Sequence, residues 1–390
     1  MAGNVPFRVG ISGSYGGWNL GDEAILEGMI KELRASVPLE ITVFTRDAVD
    51  TLRRHGVEHA VAVREFLRDD ILPALQPLDL FILGGGGILF DSEVPIYFRE
   101  VELAHELNVP VMIYGVSAGP LEDPRSQAQV ARCFEIVEAA TVRDRRAKNV
   151  LEYCGVRREI RVTADPALLI EPEPLPEHIL QMEGLMNRRR LVGMSVREPG
   201  PAAPDLAGMD YHALLANAAD YIVDRLDADI VLVPMERRQH DLQHSHAVLA
   251  RMRGVHHASV LRGEYSTGQL LSLIGHFEFA IGMRLHFLIL AALQGVPFVP
   301  LPYAPKVTGF VEEFGVDPPP FEGLNAGRLI ALIDRAWDER NRIREKIAAT
   351  LPSLQTRARE NNAIAVELLR KSEARRGELA SAPGVRAKAS

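Results

Sequence analysis

The sequence predicts an α/β protein built from two doubly wound parallel sheets. Unbroken apolar segments such as FRVGIS and LDLFIL alternate with helical patterns through the first half, which is typical of sheets covered on both faces. The proline-rich segment EPEPLPE then interrupts this pattern. The same alternation restarts at LVGMSVRE, and a chain of 390 residues is long enough to form two cores.

The elements follow in order along the chain. In the first half we expect strands at FRVGIS, EITVFT, LDLFILGGGG, PVMIYGVSAGP, AATVRD and EIRVTADPALL, with AILEGMIKEL as the first helix. In the second half we expect strands at LVGMSVRE, DIVLVP, FEFAIGM and VPFVPL, separated by helices such as YHALLANAADYIVDRL and RLHFLILAALQG.

These elements divide the chain into an N-terminal Rossmann-like domain over residues 1–172, a linker over 173–190 and a C-terminal Rossmann-like domain over 191–325. Residues 326–371 are expected to form C-terminal helices, and residues 372–390 a disordered tail with few apolar side chains. Two doubly wound domains joined by a hinge predict a ligand cleft that both domains face. This is the GT-B-like architecture of glycosyltransferases with two Rossmann-like domains.

Composition excludes several classes of function. A net charge of −8 gives no general reason to expect nucleic-acid binding. Two cysteines without a CxxC pair suit a reducing cytoplasm and give no thiolate metal site. No signal peptide is evident, and the apolar run FLILAAL is far shorter than the ~20 residues that span a bilayer. We therefore expect a cytoplasmic protein whose membrane contact, if any, is peripheral at the inner face of the plasma membrane.

The first strand leads into the loop GSYGGWNLGDEAI, whose glycines do not fit the dinucleotide pattern GxGxxG. One interpretation is a capping box, in which Asn19 caps the helix and the Asp22 side chain, in the first turn, bonds back to the cap residue. The other is a sugar site, because amides and carboxylates suit sugar hydroxyls and Asp22 could accept a proton from one. Both interpretations stay open at this point.

Two further glycine motifs follow strands. In LGGGG, Gly85 and Gly86 let the backbone approach either an acceptor or a neighbouring helix closely. GVSAG matches the G-x-S-x-G elbow of serine hydrolases, and Asp165 and His286 would complete a triad in the right order. However, an elbow needs a helix that begins at its serine, and Pro120 follows instead. We therefore expect Ser117 to line the cleft with its hydroxyl.

The stretch IGMRLHFLILAALQG carries the strongest functional signal. Arg284 and His286 fall in the first turn of a very apolar helix, where cations oppose the positive end of the helix dipole. Amide groups, a guanidinium and an imidazole at one point predict a phosphate or carboxylate site. The alternative is an arginine paired with an acid and a histidine bonded to backbone.

Other cations also follow strands. Lys306 opens a helix one strand–helix unit later, although a lone lysine is often a surface residue. Arg143 ends a strand beside Asp144, so a local ion pair is its alternative, and Arg197 ends the first strand of the second domain. Arg237, His240 and Asp241 in PMERRQHD rank lower. No metal site is predicted, since the spacing of His240, His244 and His246 is a weak signal.

Taken together, WNLGDEA, LGGGG, VRD, SVRE, GMRLH and PYAPKV resemble the polysaccharide pyruvyl transferase family, with bacterial cell-wall and exopolysaccharide ketal-pyruvyltransferases as the nearest kin. The similarity runs from about residue 8 to about residue 315, and the motifs occur in the family's order. The departure is the Trp-Asn pair at residues 18–19, where the family usually has Gly-Asn.

The resemblance implies that pyruvate moves from phosphoenolpyruvate to a sugar as a cyclic ketal, with release of phosphate. It implies that Asn19 and Asp22 belong to the acceptor side, and that Arg143, Arg284, His286 and Lys306 form the donor-binding and catalytic set. From their positions in the sequence we further expect Gly85, Gly86 and Ser117 on the acceptor side and Arg197 on the donor side. We expect His286 to be the general acid, Asp22 the base and Arg284 a catalytic cation.

The resemblance further implies a lipid-linked or polymeric saccharide as acceptor, with phosphoenolpyruvate as co-substrate and no cofactor or metal. A homo-oligomer is left open. The alternative function is a glycosyltransferase of the same fold that uses a nucleotide-sugar, since a diphosphate also attracts arginine and lysine. A carbohydrate-binding protein without enzymatic activity is a third reading, but it has no need for Arg284, His286 and Lys306 together.

Overall fold

A computed structural model describes residues 5–63, 68–186, 190–198, 208–237, 240–301, 305–315 and 323–381. The chain forms two compact units. The first comprises Met1–Gly17, Ile25–Pro166 and Thr356–Ser390, and the second comprises Trp18–Ala24 and Ala167–Gln355. The short segment Trp18–Ala24, which we expected in the first domain from its position in the sequence, therefore belongs to the second unit.

The first unit contains a parallel sheet of seven strands in the order β3-β2-β1-β4-β5-β6-β7. Its apolar strands lie between helices and pack a core that includes Phe81, Phe98 and Phe134. Its strands are β1 (Phe7–Ser12), β2 (Leu39–Thr45), β3 (His59–Ala62), β4 (Leu80–Leu89), β5 (Val111–Ala118), β6 (Ala139–Val142) and β7 (Arg161–Val162). Its helices are α1 (Leu20–Ser36, from Ile25 onward), α2 (Ala48–His55), α3 (Arg68–Leu75), α4 (Val94–Glu106), α5 (Pro124–Ile136) and α6 (Arg145–Tyr153).

The second unit contains a parallel sheet of five strands in the order β10-β9-β8-β11-β12. Its strands are β8 (Arg190–Ser195), β9 (Ala228–Leu232), β10 (Ala258–Val260), β11 (Phe277–Gly282) and β12 (Phe298–Pro300). Its helices are α7 (Ile179–Met182), α8 (Gly208–Arg225), α9 (Asp241–Leu249), α10 (Thr267–Ile274), α11 (Leu285–Leu293), α12 (Pro305–Glu312) and α13 (Ala326–Asp338), with short 3-10 helices at Pro166–Leu169 and Val255–His257. The long helix α14 (Arg340–Ser381) supplies residues to both units.

Three expectations are corrected by this arrangement. The glycines of LGGGG lie inside β4, which continues to Leu89, rather than after its end. The strands β3 and β10 were not expected. Residues 372–381, predicted to be disordered, continue α14, and the Glu367–Lys371 i,i+4 pair lies in the turn before them. Residues 382–390 lie outside the described part of the chain.

The segment predicted as a linker packs against the second unit. The Glu173 N–H donates to the Gly268 carbonyl at 3.1 Å. The buried Glu183 carboxylate accepts the backbone N–H groups of Arg262 and Gly263, the latter at 2.7 Å, and also the Tyr265 hydroxyl. A carboxylate with three donors is well satisfied when buried, so this segment is a fixed part of the unit.

A buried polar network joins the last part of α14 to the first unit. Asn361 is fully buried, and its Oδ1 accepts hydrogen bonds from the Thr141 and Thr163 hydroxyls at 2.5 and 2.8 Å. Its Nδ2 donates to the Ala164 carbonyl at 3.2 Å. Since every member sits away from water, loss of the amide would leave several buried groups unsatisfied.

Replacing Asn361 with alanine is therefore expected to lower the free energy of unfolding by about 3 kcal/mol. Urea denaturation of the full chain measures this change. Asn341→Ala is the matched control, because Asn341 lies exposed near the start of the same helix. Equal midpoints for the two variants would contradict the structural role of the network.

Candidate active site

The polar residues of the second unit gather where its parallel strands end. The order of this sheet reverses between β8 and β11, and ligands of doubly wound sheets bind beyond the carboxyl ends of the strands at such a point. Segments after β9 and β11 meet the first turn of α1 here. These three segments supply six side chains, which we call the α1–α11 site: Asn19, Asp22, Glu236, Asp241, Arg284 and His286.

The first turn of α1 is capped by its own side chains. The Asn19 Oδ1 accepts the Gly21 N–H at 3.0 Å, and the Asn19 Nδ2 donates to the Asp22 carboxylate at 3.0 Å. This is the capping interpretation, with a hydrogen bond from the side chain of the cap residue to Asp22. Asp22 stays half-buried, so capping and contact with a ligand are compatible for this carboxylate.

Backbone pairing fastens this turn to the segment that follows β9. Leu20 N–H donates to the Met235 carbonyl at 2.9 Å, and Asn19 forms an antiparallel bridge with Glu236. These contacts explain why residues 18–24 belong to the second unit. Asp22 and His286, which we expected to come from different domains, therefore lie in the same unit.

His286 lies directly against this turn. A Cβ placed on Gly21 would come within 2.9 Å of the His286 Cβ and closer still to its ring. Real Cβ contacts are essentially never this short, so only glycine admits the imidazole at this distance. The glycine before Asp22 thus has a structural reason that the sequence pattern alone did not reveal.

Arg284 is the N-cap residue of α11, but its side chain turns to carboxylates. Its Nε and Nη2 donate to Asp241 at 2.9 and 2.6 Å, and Nη2 also donates to Glu236 at 2.8 Å. The geometry therefore favours the alternative of an arginine paired with acids. Its predicted roles in donor binding and catalysis stay predictions.

Lys306 and Arg197 follow the two strands that flank β11. Lys306 lies half-buried in the first turn of α12, as the sequence predicted. Arg197 follows β8, and its guanidinium donates to the Glu198 carboxylate at 3.0 Å. Both cations belong to the second unit and follow strand ends on the same side of the sheet as Arg284.

The remaining predicted residues lie in the first unit. The Arg143 side chain is 4% exposed and donates to Asp165 at 2.8 Å, which is the geometry of a buried structural ion pair. The ion pair with Asp144, the alternative that the sequence offered, is also present, with the Arg143 Nε 3.7 Å from that carboxylate. The part of Arg143 in donor binding stays a prediction.

The glycine and serine motifs of the first unit have structural explanations. Gly85 and Gly86 adopt φ values of +71° and +86°, and a Cβ on Gly85 would collide with Ile25 of α1. The crowded strand–helix crossing therefore accounts for Gly85. Ser117 lies within β5 and donates to Asp144 at 3.1 Å, and no helix begins at it. A nucleophile elbow is thus excluded at Ser117, and acceptor contacts for the three residues stay a prediction.

Of the histidines noted in the sequence, His244 pairs with His212. Their Nδ1 and Nε2 atoms lie 2.7 Å apart, so at most one ring of the pair is charged. Burial, and for His212 also the charge of His244, lowers the pKa of both imidazoles. Among the described residues, no group of three or more His, Cys, Asp or Glu side chains could hold a metal ion.

This pair predicts an acid-sensitive stability. Because the folded pKa values lie below the unfolded value of about 6.5, the unfolded chain binds more protons as the pH falls through that region, and stability is lost. His212→Gln should therefore show a smaller fall in melting temperature between pH 7 and pH 5 than the parent chain. His246→Gln, on the exposed side of α9, is the control. A parallel fall in all three proteins would contradict the assignment.

Sequence reasoning missed Glu236 and ranked Asp241 low. Both follow β9, and Arg284 reaches them across the end of β8, which lies between β9 and β11. The available signal was the position of these carboxylates, which follow β9, while Arg284 follows β11 at the same end of the sheet. The motif PMERRQHD carries it, but we had considered only its cations and Asp241.

Comparisons with known proteins agree with the motifs. The sequence model of the family described as "Polysaccharide pyruvyl transferase" matches residues 19–305. The amylovoran biosynthesis protein AmsJ of Erwinia amylovora is 22% identical over 310 residues, which cover 76% of this chain and 74% of that protein. The family match includes every member of the α1–α11 site.

Solved structures show the fold. The S. aureus MnaA–UDP co-structure has a TM-score of 0.64 at 10% identity and covers 91% of this chain and 94% of its own. A glycosyltransferase from Rickettsia africae ESF-5 has a TM-score of 0.62 at 12% identity, covering 94% and 99%. The fold is therefore the GT-B-like α/β fold with two Rossmann-like units, as predicted. None of the described helices is both long and apolar enough to cross a membrane.

Proposed function

Since this chain belongs to the polysaccharide pyruvyl transferase family, we propose that it transfers the pyruvyl group of phosphoenolpyruvate to a pair of hydroxyls on a lipid-linked saccharide. The product is a cyclic pyruvate ketal, and inorganic phosphate is released. The observation that carries this proposal is the contact between His286 and the first turn of α1. This contact brings His286 as an acid next to the turn that carries the Asp22 carboxylate and the Asn19 amide, all within the second unit.

The residues suit the required proton transfers. C3 of the enol must gain a proton, which leaves an oxocarbenium ion at C2 that a first sugar hydroxyl attacks. The second hydroxyl replaces phosphate, so both hydroxyls lose a proton. A protonated imidazole is a common general acid in enzymes, and we assign the donation of the C3 proton to His286. Asp22, held by the Asn19 amide, is the base for a hydroxyl.

The charges of the second unit guide where the donor binds. One guanidinium and two carboxylates leave Arg284, Glu236 and Asp241 with a formal charge of −1. A phosphate is therefore better placed at Lys306, at Arg197 and at the amino end of α11, where no side chain caps the backbone N–H groups. These groups would stabilise the charge that develops on the leaving phosphate.

The proposal is tested by phosphate release from phosphoenolpyruvate in the presence of synthetic lipid-linked saccharides. We expect release that depends on the acceptor, and a rise in melting temperature with phosphoenolpyruvate alone. Stabilisation by UDP- or GDP-sugars only, without phosphate release, would favour a nucleotide-sugar glycosyltransferase. Binding of saccharide without any turnover would favour a carbohydrate-binding protein.

A further inference from the structure

Arg284 is held by three hydrogen bonds to two carboxylates. Asp241 bonds its guanidinium through two nitrogens, and Glu236 adds a third bond. The side chains of Asp241, Arg284 and Glu236 are 1%, 13% and 15% exposed. Two-point bonding of a guanidinium by a buried carboxylate fixes its orientation as well as its position.

Backbone groups hold both acidic residues in place. Asp241 also accepts the Glu236 N–H at 3.1 Å. The backbone of Glu236 pairs with Asn19, one residue before α1 begins. The position of Arg284 is thus tied to the first turn of α1.

These contacts form a closed circuit around His286. The circuit leaves α11 at Arg284, passes through the carboxylates to Asn19, and continues along α1 to Gly21. Gly21 touches His286, which lies two residues after Arg284. Its non-covalent links are hydrogen bonds, a backbone bridge and a steric contact, and two short stretches of chain join them.

We infer that Asp241 and Glu236 are positioning residues, which hold Arg284 so that the His286 imidazole stays against the first turn of α1. Arg284 then acts through His286 and not as the ligand of the donor's phosphate. The inference rests on the proposed function for its reaction, but the circuit itself does not depend on the substrate. A phosphate that took over the Nε and Nη2 groups of Arg284 would leave the buried Asp241 carboxylate without its partner, which is strongly unfavourable.

Steady-state kinetics distinguish an Arg284 that positions His286 from an Arg284 that binds the donor's phosphate. For Asp241→Asn and Arg284→Lys we expect kcat to fall by about tenfold or more, while KM for phosphoenolpyruvate changes by less than about threefold. The double variant should be no slower than the worse single variant, because both substitutions remove the same hydrogen bonds between Asp241 and Arg284. A tenfold rise in KM with unchanged kcat, or losses that multiply, would overturn the inference.

Asp220→Asn is the matched control. Asp220 is another buried carboxylate of the second unit, where it accepts the backbone N–H groups of Arg253 and Gly254 at 3.0 and 2.9 Å. Its loss tests the general effect of neutralising a buried acid. If Asp241→Asn does not fold, Glu236→Gln carries the test, because Glu236 lies nearer the surface and keeps its backbone bridge.

A readout without substrate completes the test. The imidazole signal of His286 in a proton–carbon NMR spectrum is assigned by its disappearance in His286→Gln. We expect this signal to move in Glu236→Gln and Asp241→Asn and to stay in place in Asp220→Asn. An unmoved signal in both site variants would overturn the inference even if the enzyme turns over. If the signal moves but the protein releases no phosphate, the positioning of His286 by Asp241 and Glu236 is supported and the proposed function is refuted.

Discussion

Glutamine in place of His286 is expected to slow phosphate release from phosphoenolpyruvate by about 10²- to 10⁴-fold, the usual worth of a general acid. Glutamine keeps a polar side chain of similar reach but cannot deliver a proton to C3. The loss should appear in kcat, because the imidazole is proposed to act in the transition state and not in donor binding. Initial rates at saturating donor and acceptor measure it.

A control variant and a stability measurement accompany this prediction. His276→Gln removes an exposed histidine of the same unit and should leave the rate unchanged. The melting temperature of His286→Gln should stay close to that of the parent chain, because His286 lies half-buried at a helix start. A rate within a few-fold of the parent in His286→Gln would remove the proposed acid.

Alanine in place of Gly21 should cost about 100-fold in turnover, the scale of a catalytic group displaced by about 1 Å. The new methyl group would occupy space now filled by the His286 side chain, so the imidazole must shift. Helix propensity works in the opposite direction, since alanine favours α1 over glycine. A slow enzyme with an intact helix is therefore the expected phenotype, measured by kinetics beside circular dichroism.

The neighbouring Gly17 gives the control for this change. A Cβ at Gly17 would have its nearest neighbour at 3.4 Å, in the Arg46 guanidinium, which is an ordinary contact with a flexible group. Gly17→Ala should therefore keep most of the activity. Equal activities for the two alanine variants would show that the contact at Gly21 does not position His286.

Much of the fold follows from local pattern. The run FRVGIS predicts β1 at Phe7–Ser12, because a continuous apolar segment between turns suits a strand that is covered on both faces. The strands β3 and β10 escaped prediction, since HAVA and ASV are short, partly exposed sheet edges whose strand state depends on pairing with a neighbour. The glycines of β4 read as the end of a strand, but positive φ values at Gly85 and Gly86 are accommodated within it.

The candidate site was predictable in its parts but not in its assembly. GMRLH predicts a helix start at Arg284 and His286, and the structure places both there. The charge balance around Arg284 depends on carboxylates about 45 residues earlier, which no local pattern connects to it. The membership of Asn19 and Asp22 in the second unit likewise depends on backbone pairing with residues 235–236.

The central claim is pyruvyl transfer with proton delivery to C3 of the donor. The most direct measurement is a mass spectrum of the lipid-linked saccharide after reaction with phosphoenolpyruvate in D₂O. The account predicts a gain of one pyruvyl group that carries one deuterium in its methyl group, absent in His286→Gln. An unmodified saccharide beside released phosphate, or a gain of a sugar from a nucleotide-sugar instead, would contradict it.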